Sequence, residues 1–232
     1  MVGIGADGAG ERTKTVTVNL TNDDIREDGE YFDLVLSGVS GALTPDNRGR
    51  AFIGPSDQPA STKPVVSVAD TIANETDGYV EFAVRLDAPS TQAVSVGYDT
   101  AEGSARSSSS TLNNPDFARV FYYETLTFAP GETVKTARVA LYDDGTAEGT
   151  ESFQLEFSLP SGSNARVGTS LATATILDND VAPGTPVISV ADTVVDEKAG
   201  RTYFTVTLDR PSTSLVSVNF RTVDGSGVAG SD

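Results

Sequence analysis

The sequence contains no cysteine, no histidine and no tryptophan. Without cysteine the chain cannot form disulfides, so cysteine usage gives no information about its redox compartment. Zinc, copper and haem sites that depend on histidine or cysteine ligands are excluded. Nucleophilic machinery of the Ser-His and Cys-His kinds is excluded as well. The reactive side chains that this chain has in quantity are therefore carboxylates.

Basic residues are also few, since 16 Lys and Arg stand against 33 Asp and Glu, for a formal net charge of −17 at pH 7. The basic residues are scattered singly, whereas nucleic-acid binding requires clustered Lys and Arg, so we expect no nucleic-acid partner. No run of about 18 apolar residues is present, so we expect no direct membrane insertion. The first residues lack the basic and apolar segments of a signal peptide, and an export signal would lie outside this chain.

The sequence is rich in segments where apolar and polar residues alternate. In residues 152–159 every second side chain is Phe or Leu, and residues 79–86 alternate in the same way. Turn signals such as DAPS and APGE separate seven predicted strands, at 64–69, 79–86, 93–99, 122–128, 133–142, 151–159 and 171–177. Seven short strands without an amphipathic helix predict an all-β fold, an immunoglobulin-like antiparallel β-sandwich in each complete repeat.

The sequence repeats itself at a shift of about 122 residues. Residues 186–220 align without gaps on 64–98, and residues 10–36 align on 131–157. The unit at 64–180 is complete, while 1–58 match its C-terminal half and 186–232 match its N-terminal half. The sequence therefore predicts that the chain is a segment of a tandem array of such repeats.

Two half-repeats would each expose apolar faces and unpaired strand edges. We expect them to complement each other head to tail between molecules, giving self-association. Complementation within one chain is not expected, because the linkers at 58–62 and 181–185 are short.

Acidic residues crowd into LYDDGTAEGTESF, residues 141–153, between the fifth and sixth predicted strands. The segment ILDND ends the seventh strand, and Glu75 follows the first. Alternate turns of an antiparallel sandwich gather at one end, so these carboxylates can meet there. They would repel one another unless a cation lay among them, and Ca²⁺ takes six to eight oxygen ligands. An acidic loop is also commonly plain solvated surface, so residue types and spacing leave both interpretations open.

The unit at 64–180 resembles the Calx-beta repeat, a sandwich domain of sodium–calcium exchangers and of large bacterial surface proteins. The segments that carry the resemblance follow in family order: SVADTIANETDG, VEFAVRLDAPSTQAVSVGYDT, LTFAPGETVKTARVALYDD, EGTESFQLEF and ATILDND. The resemblance implies bound Ca²⁺, with ligands from Glu75, Asp116, Asp143, Asp144, Glu148, Glu151, Asp178 and Asp180.

The other two copies keep part of this acidic set. The first copy has Pro55 in the place of Asp178, and it retains Asp23, Asp24, Glu27, Asp28 and Glu30. The third copy retains Glu197 and Asp232. A full site in the first copy is therefore not expected.

These observations predict a non-catalytic, calcium-binding structural or adhesion repeat of a long extracellular protein, secreted or on the cell surface. Calcium would rigidify the joints with neighbouring repeats of the same chain. A cell-surface protein or a carbohydrate is a candidate adhesive partner. Tyr122 and Tyr123, with the long loop at 101–120, are the most distinct candidate surface feature, although a Tyr pair that enters a strand is more often ordinary sheet packing. The alternatives are a regulatory calcium-sensing domain of a membrane transporter, and a metal-free spacer or ligand-binding module attached to a secreted enzyme. Catalysis by paired carboxylates is not expected, because aromatic residues make up only 7% and sugar platforms are lacking.

Overall fold

The computed structural model describes residues 2–4, 12–25, 29–45, 47–55, 57–109, 114–121, 124–178, 180 and 184–229. This part of the chain is built from strands and from two single-turn 3₁₀ helices, Glu75–Asp77 and Glu197–Ala199. Within these ranges no helix is long and apolar enough to cross a membrane. The predicted all-β fold is confirmed.

The strands of the described residues, numbered in chain order, are β1 (Val2–Ile4), β2 (Thr13–Asn19), β3 (Glu30–Ser40), β4 (Arg48–Gly54), β5 (Val65–Val68), β6 (Thr71–Asn74), β7 (Tyr79–Leu86), β8 (Val94–Glu102), β9 (Glu124–Phe128), β10 (Val134–Ala140), β11 (Glu151–Ser158), β12 (Arg166–Val167), β13 (Leu171–Leu177), β14 (Ile188–Val190), β15 (Thr193–Asp196), β16 (Arg201–Leu208) and β17 (Val216–Asp224).

Residues 64–180 form one β-sandwich, which we call the middle sandwich. One sheet has the strand order β10-β7-β5-β12, and the other has the order β6-β13-β11-β8-β9. The side chains that alternate inward along β7 and β11 are buried, as predicted. Phe153 stacks on Phe117 with ring centroids 4.0 Å apart and meets Phe82 edge to face at 5.9 Å. A continuous apolar core therefore joins the two sheets.

The first predicted strand, 64–69, is shorter in the structure, because the chain changes sheets there. After β5 the chain crosses over, and β6 pairs in parallel with β13 in the opposite sheet. At the crossing, Asp70 Oδ1 accepts a 2.8 Å hydrogen bond from the backbone N–H of Thr173. The four residues of β6 show no alternation of their own, so the sequence did not predict this strand. Parallel pairing also joins β12 to β5, and the other strand pairs described in the middle sandwich are antiparallel.

The two terminal segments together build a second sandwich, which we call the joined sandwich. β2 from the N-terminal segment pairs antiparallel along its whole length with β16 from the C-terminal segment. In the other sheet the order is β1-β17-β3-β4-β15, which again interleaves the two segments. Phe32 and Phe204 meet edge to face in the core, with ring centroids 5.8 Å apart. Each half-repeat thus supplies the strands and core side chains that the other lacks.

The expectation that one chain could not pair its own half-repeats is wrong. The amide of Asn74, where β6 ends, donates a 2.7 Å hydrogen bond to Thr13 Oγ1 at the start of β2. In the corresponding contact, the hydroxyl of Thr133, just before β10, donates to Asp196 where β15 ends. The sandwiches therefore lie side by side and antiparallel. The end at which a linker leaves one sandwich thus lies beside the end at which it enters the other. Short linkers suffice for this path, and association between molecules stays a prediction.

Candidate metal centre

Four segments bring acidic side chains to one end of the middle sandwich, which we call the acidic pole. They are the turn at 141–150 with the first residue of β11, the residues Asp178 and Asp180 after β13, the 3₁₀ helix after β6, and the loop between β8 and β9 that carries Asp116. Because β6 and β13 are parallel, with Asn74 opposite Leu177, both strands finish at this end. Glu75 and Asp178 follow them directly. The sheet crossing that the sequence did not predict is therefore what places Glu75 at the pole.

The first group of carboxylates at the pole consists of Glu75, Asp178 and Asp180, and we call it the Glu75 cluster. One oxygen from each lies within 4.8 Å of the others. Glu75 and Asp178 are 5% and 4% exposed. Asp178 accepts hydrogen bonds from the backbone N–H groups of Glu148 and, at 2.7 Å, of Asp180. Oδ2 of Asp180 is buried and has no hydrogen-bond partner in the described part of the chain, so a cation would satisfy it.

The second group consists of Asp116, Glu148 and Glu151, and we call it the Asp116 cluster. One oxygen from each again lies within 4.8 Å of the others. Backbone contacts hold Asp116 in place, because its Oδ2 accepts from the N–H of Arg106 at 2.6 Å and its carbonyl accepts from the N–H of Tyr142 at 2.9 Å. Glu151 stands at the first position of β11. Asp116 is thus fixed beside a strand end and a turn that carry carboxylates of their own.

Repulsion within the Asp116 cluster is visible in the pKa values of its members. Burial, together with a hydrogen bond to Asp116 and the charges of Asp116 and Glu148, raises the pKa of Glu151 to about 8. The pKa of Glu148 is also raised, by partial removal from water and by the charges of Asp116, Asp144 and Asp178. At neutral pH a proton is therefore held by the Glu151–Asp116 pair. A divalent cation at this place could replace it.

Six of the eight predicted ligands fall within the two clusters, and Asp143 and Asp144 do not. Asp144 Oδ1 accepts a 2.6 Å hydrogen bond from the N–H of Thr146, an Asx turn that shapes the loop. The N–H of Asp144 also lies 3.4 Å from Glu75 Oε1. Asp143 is exposed on the same turn. The ligand role of all eight residues stays a prediction.

The joined sandwich repeats part of this arrangement at its corresponding end. The N–H of Asp23 donates a 3.1 Å hydrogen bond to Glu197 Oε1, as Asp144 does to its glutamate in the middle sandwich. Pro55 follows β4, and Lys198 Nζ lies 3.4 Å from Asp57 Oδ1. A lysine thus supplies positive charge here, and the described residues of this sandwich contain no group of three carboxylates. Several residues singled out from the sequence lie outside the described residues: Glu27, Asp28, Tyr122, Tyr123 and Asp232.

Sequence reasoning missed one residue at the acidic pole, the basic residue Arg12 of the joined sandwich. Arg12 is 7% exposed, and its Nη1 donates a 3.0 Å hydrogen bond to the carbonyl oxygen of Asp178. The sequence offers one faint signal, since Thr133 occupies the equivalent position of the complete repeat. The difference between Arg12 and Thr133 can be interpreted only when the packing of the two sandwiches against each other is known.

The donors of the two clusters suit a hard divalent cation. All of them are carboxylate oxygens, which Ca²⁺ and Mg²⁺ prefer over softer ligands. In each cluster two carboxylates are near neighbours in the sequence and the third comes from a distant segment, an arrangement that the flexible geometry of Ca²⁺ accommodates better than the strict octahedron of Mg²⁺. A cation beside Asp180 would pair with its buried Oδ2, which has no hydrogen-bond partner among the described residues. A cation beside Glu151 would take the place of the proton that this side chain holds. The residues present therefore fit calcium.

Comparison with known proteins identifies the family to which the chain belongs. A family model of the Calx-beta domain matches residues 8–54, 60–180 and 182–232. Among solved structures, the apo form of the Calx CBD1 domain is 24% identical over 50% of this chain and 97% of that one, with a TM-score of 0.41. The calcium binding domain CBD12 of CALX1.1 is 26% identical over 50% of this chain and 46% of that one (TM-score 0.42). The Calx CBD2 domain is 17% identical over 48% and 85% (TM-score 0.39). The family model covers nearly the whole sequence, so the chain belongs to the Calx-beta domain family.

Proposed function

We propose that the chain is a non-catalytic, calcium-binding module of a longer extracellular protein, in which calcium stiffens the joint between neighbouring sandwiches. The observation that carries this proposal is the position of the two carboxylate clusters. They lie at the end of the middle sandwich that contacts the joined sandwich through Arg12 and Thr13. Membership of the Calx-beta family supports calcium as the ion, since domains of this family bind calcium.

Calcium would act by ordering the turn at 141–150. Glu148 in this turn contributes its carboxylate to the Asp116 cluster, while its backbone N–H donates to Asp178 of the Glu75 cluster. An ion held by Asp116, Glu148 and Glu151 therefore ties the turn to the start of β11 and to the loop that carries Asp116. Because the ion binds the folded loops and not the unfolded chain, it stabilises the folded loops by about 0.4–1.4 kcal/mol when free calcium is about one to ten times Kd.

The extracellular setting and an adhesive role belong to the same proposal. Weak sites, with Kd on the order of 10⁻⁴ to 10⁻³ M, suffice where calcium is millimolar, as it is outside cells. Calx-beta domains are binding and regulatory domains, which supports a role without catalysis. A cell-surface protein or a carbohydrate is the class of partner that an adhesion repeat would bind.

Calcium titration calorimetry on the whole chain, paired with thermal melts in CaCl₂ and in EDTA, tests the proposal. We expect binding and a higher Tm in calcium. Asp180→Asn should weaken binding at the Glu75 cluster, and Glu151→Gln should weaken it at the Asp116 cluster. Asp24→Asn, an exposed acid in the corresponding turn of the joined sandwich, is the matched control and should change neither quantity.

Two outcomes would contradict parts of the proposal. Absence of both binding heat and a Tm shift would mean that the acidic pole is solvated surface. Small-angle scattering addresses the joint, because a stiffer joint narrows the distribution of interdomain distances. Scattering profiles identical to the EDTA profile at every calcium concentration across the titration, in a chain that does bind calcium, would refute joint stiffening and leave calcium binding intact.

A further inference from the structure

Arg12 is a buried cation that one sandwich presents to the acidic pole of the other. It directly precedes β2 of the joined sandwich, and its Nη1 donates a 3.0 Å hydrogen bond to the carbonyl oxygen of Asp178. Its Nη2 is buried and has no hydrogen-bond partner among the described residues. Burial lowers the pKa of the guanidinium, and the negative charges of four carboxylates act in the opposite direction: Asp77, Asp178, Glu75 and Asp143.

The matching contact on the other side of the joint has no such charge. The equivalent position in the middle sandwich is Thr133, whose hydroxyl donates to Asp196. The pole of the joined sandwich already contains a lysine of its own, Lys198, 3.4 Å from Asp57. At the Glu75 cluster, the guanidinium that donates to the carbonyl oxygen of Asp178 belongs to Arg12 of the other sandwich. Positive charge thus reaches this cluster from the neighbour.

We propose that Arg12 is an intersandwich counter-ion that makes the two clusters unequal, weakening calcium binding at the Glu75 cluster while the Asp116 cluster binds calcium at full strength. The inference rests on the proposed function, because it concerns the same acidic pole. Its physical basis is that a fixed positive charge lowers the negative potential that attracts a divalent ion, and burial makes the charge more effective by reducing screening. Asp116 lies in the cluster that Arg12 does not contact.

Reciprocity gives the inference a second consequence. If Arg12 weakens calcium binding at the Glu75 cluster, calcium in that cluster must weaken the Arg12 contact by the same factor. Stiffening of the joint then comes from the Asp116 cluster, which fills first. Filling of the Glu75 cluster at higher calcium loosens the contact between sandwiches. The joint is thus expected to respond to calcium in two opposed steps.

The test is calorimetric titration of CaCl₂ into the whole chain and its variants. We expect two classes of site in the wild type, with the weaker class tightening on the order of tenfold in Arg12→Gln because a nearby charge has been removed. Arg12→Lys keeps the charge and should keep the weaker affinity. Arg166→Gln, which removes a charge from the exposed strand β12, is the matched control and should leave both classes unchanged.

Measurements in EDTA provide a readout that does not depend on calcium. In urea unfolding, Arg12→Gln should lose less stability in a Glu75→Gln background than in the wild type, because the charge that Arg12 neutralises is already absent. Additive losses, together with unchanged calcium affinities in Arg12→Gln, would overturn the inference while leaving the proposed function intact. Tightening of the weaker class in Arg12→Gln, with the stronger class unchanged, would support it. Absence of calcium binding in every variant would overturn both.

Discussion

Calcium binding at the Asp116 cluster should release a proton near neutral pH. Glu151 has a pKa raised to about 8, well above the usual range of a glutamate, because it is buried beside Asp116 and Glu148. At pH 7 a group with that pKa is protonated in roughly nine molecules of ten, and at pH 9 in roughly one of ten. A bound divalent cation requires the ionised carboxylate, so binding at pH 7 should release about 0.9 proton per ion. Below pH 8 the apparent affinity should fall about tenfold for each pH unit.

Calorimetry in two buffers measures this release directly. At pH 7 the heat of calcium binding in PIPES and in Tris should differ by the number of protons released multiplied by the difference in buffer ionisation enthalpy. Glu151→Gln has no proton to lose and should show little difference between the buffers. Because Glu151 and Asp116 share a hydrogen bond, the number of protons released per ion is the quantity to compare. Equal heats in both buffers, with an affinity that stays constant from pH 6 to pH 8, would refute the reasoning.

The same group predicts how stability without calcium depends on pH. Its folded-state pKa is raised, so its contribution to stability is complete below the unfolded pKa near 4.5 and is lost as pH rises through about 8. In EDTA, the Tm of the wild type should therefore decline across this interval more steeply than the Tm of Glu151→Gln. Calcium should reverse the trend above pH 7, because the ionised carboxylate then has a partner.

Three further predictions concern the fold. Phe153→Ala removes the ring that contacts two other rings of the middle core, and urea unfolding should show a loss of about 3–5 kcal/mol. Buried Asp33 accepts a hydrogen bond from Arg50, which lowers the pKa of Asp33, so its contribution to stability is present above the unfolded pKa and lost as pH falls. Asp33→Asn should therefore make the Tm of the joined sandwich less sensitive to acid. An acid profile unchanged by this substitution would contradict the prediction. A Cβ at Gly225 would overlap the carbonyl oxygen of Tyr31, so Gly225→Ala should cost about 1–3 kcal/mol in the joined sandwich alone; a loss in the middle sandwich would argue against this assignment.

The strand pattern could be predicted from the sequence because burial on one face forces alternation. In β7 and β11 every second side chain is buried, which matches the alternation of apolar and polar residues in the sequence. The sheet crossing at Asp70 could not be predicted in this way, because β6 is short and its four residues do not alternate. Yet this crossing positions Glu75, so an essential part of the candidate site depended on pairing that is invisible in local sequence.

The convergence of the carboxylates at one end could be predicted from the alternation of turns, and the structure brings six of them into two groups. The division into two groups could not, since Asp144 shapes the turn through Thr146 instead of joining either group. Arg12 could not be predicted either. Its place at the pole depends on the antiparallel packing of two sandwiches, which the sequence encodes through linker geometry and complementary halves rather than through any motif.

The pairing of β2 with β16 also sets an order of folding. These strands are separated by the entire middle sandwich, so neither can find its partner by a local search. The middle sandwich contains all of its own strands and can fold independently of them. Once folded, it replaces a long flexible loop by a compact spacer, which reduces the entropy lost when the joined sandwich closes. When the chain refolds from denaturant, the joined sandwich is therefore expected to form after the middle sandwich, and its closure is the slow step that limits the return of the complete structure.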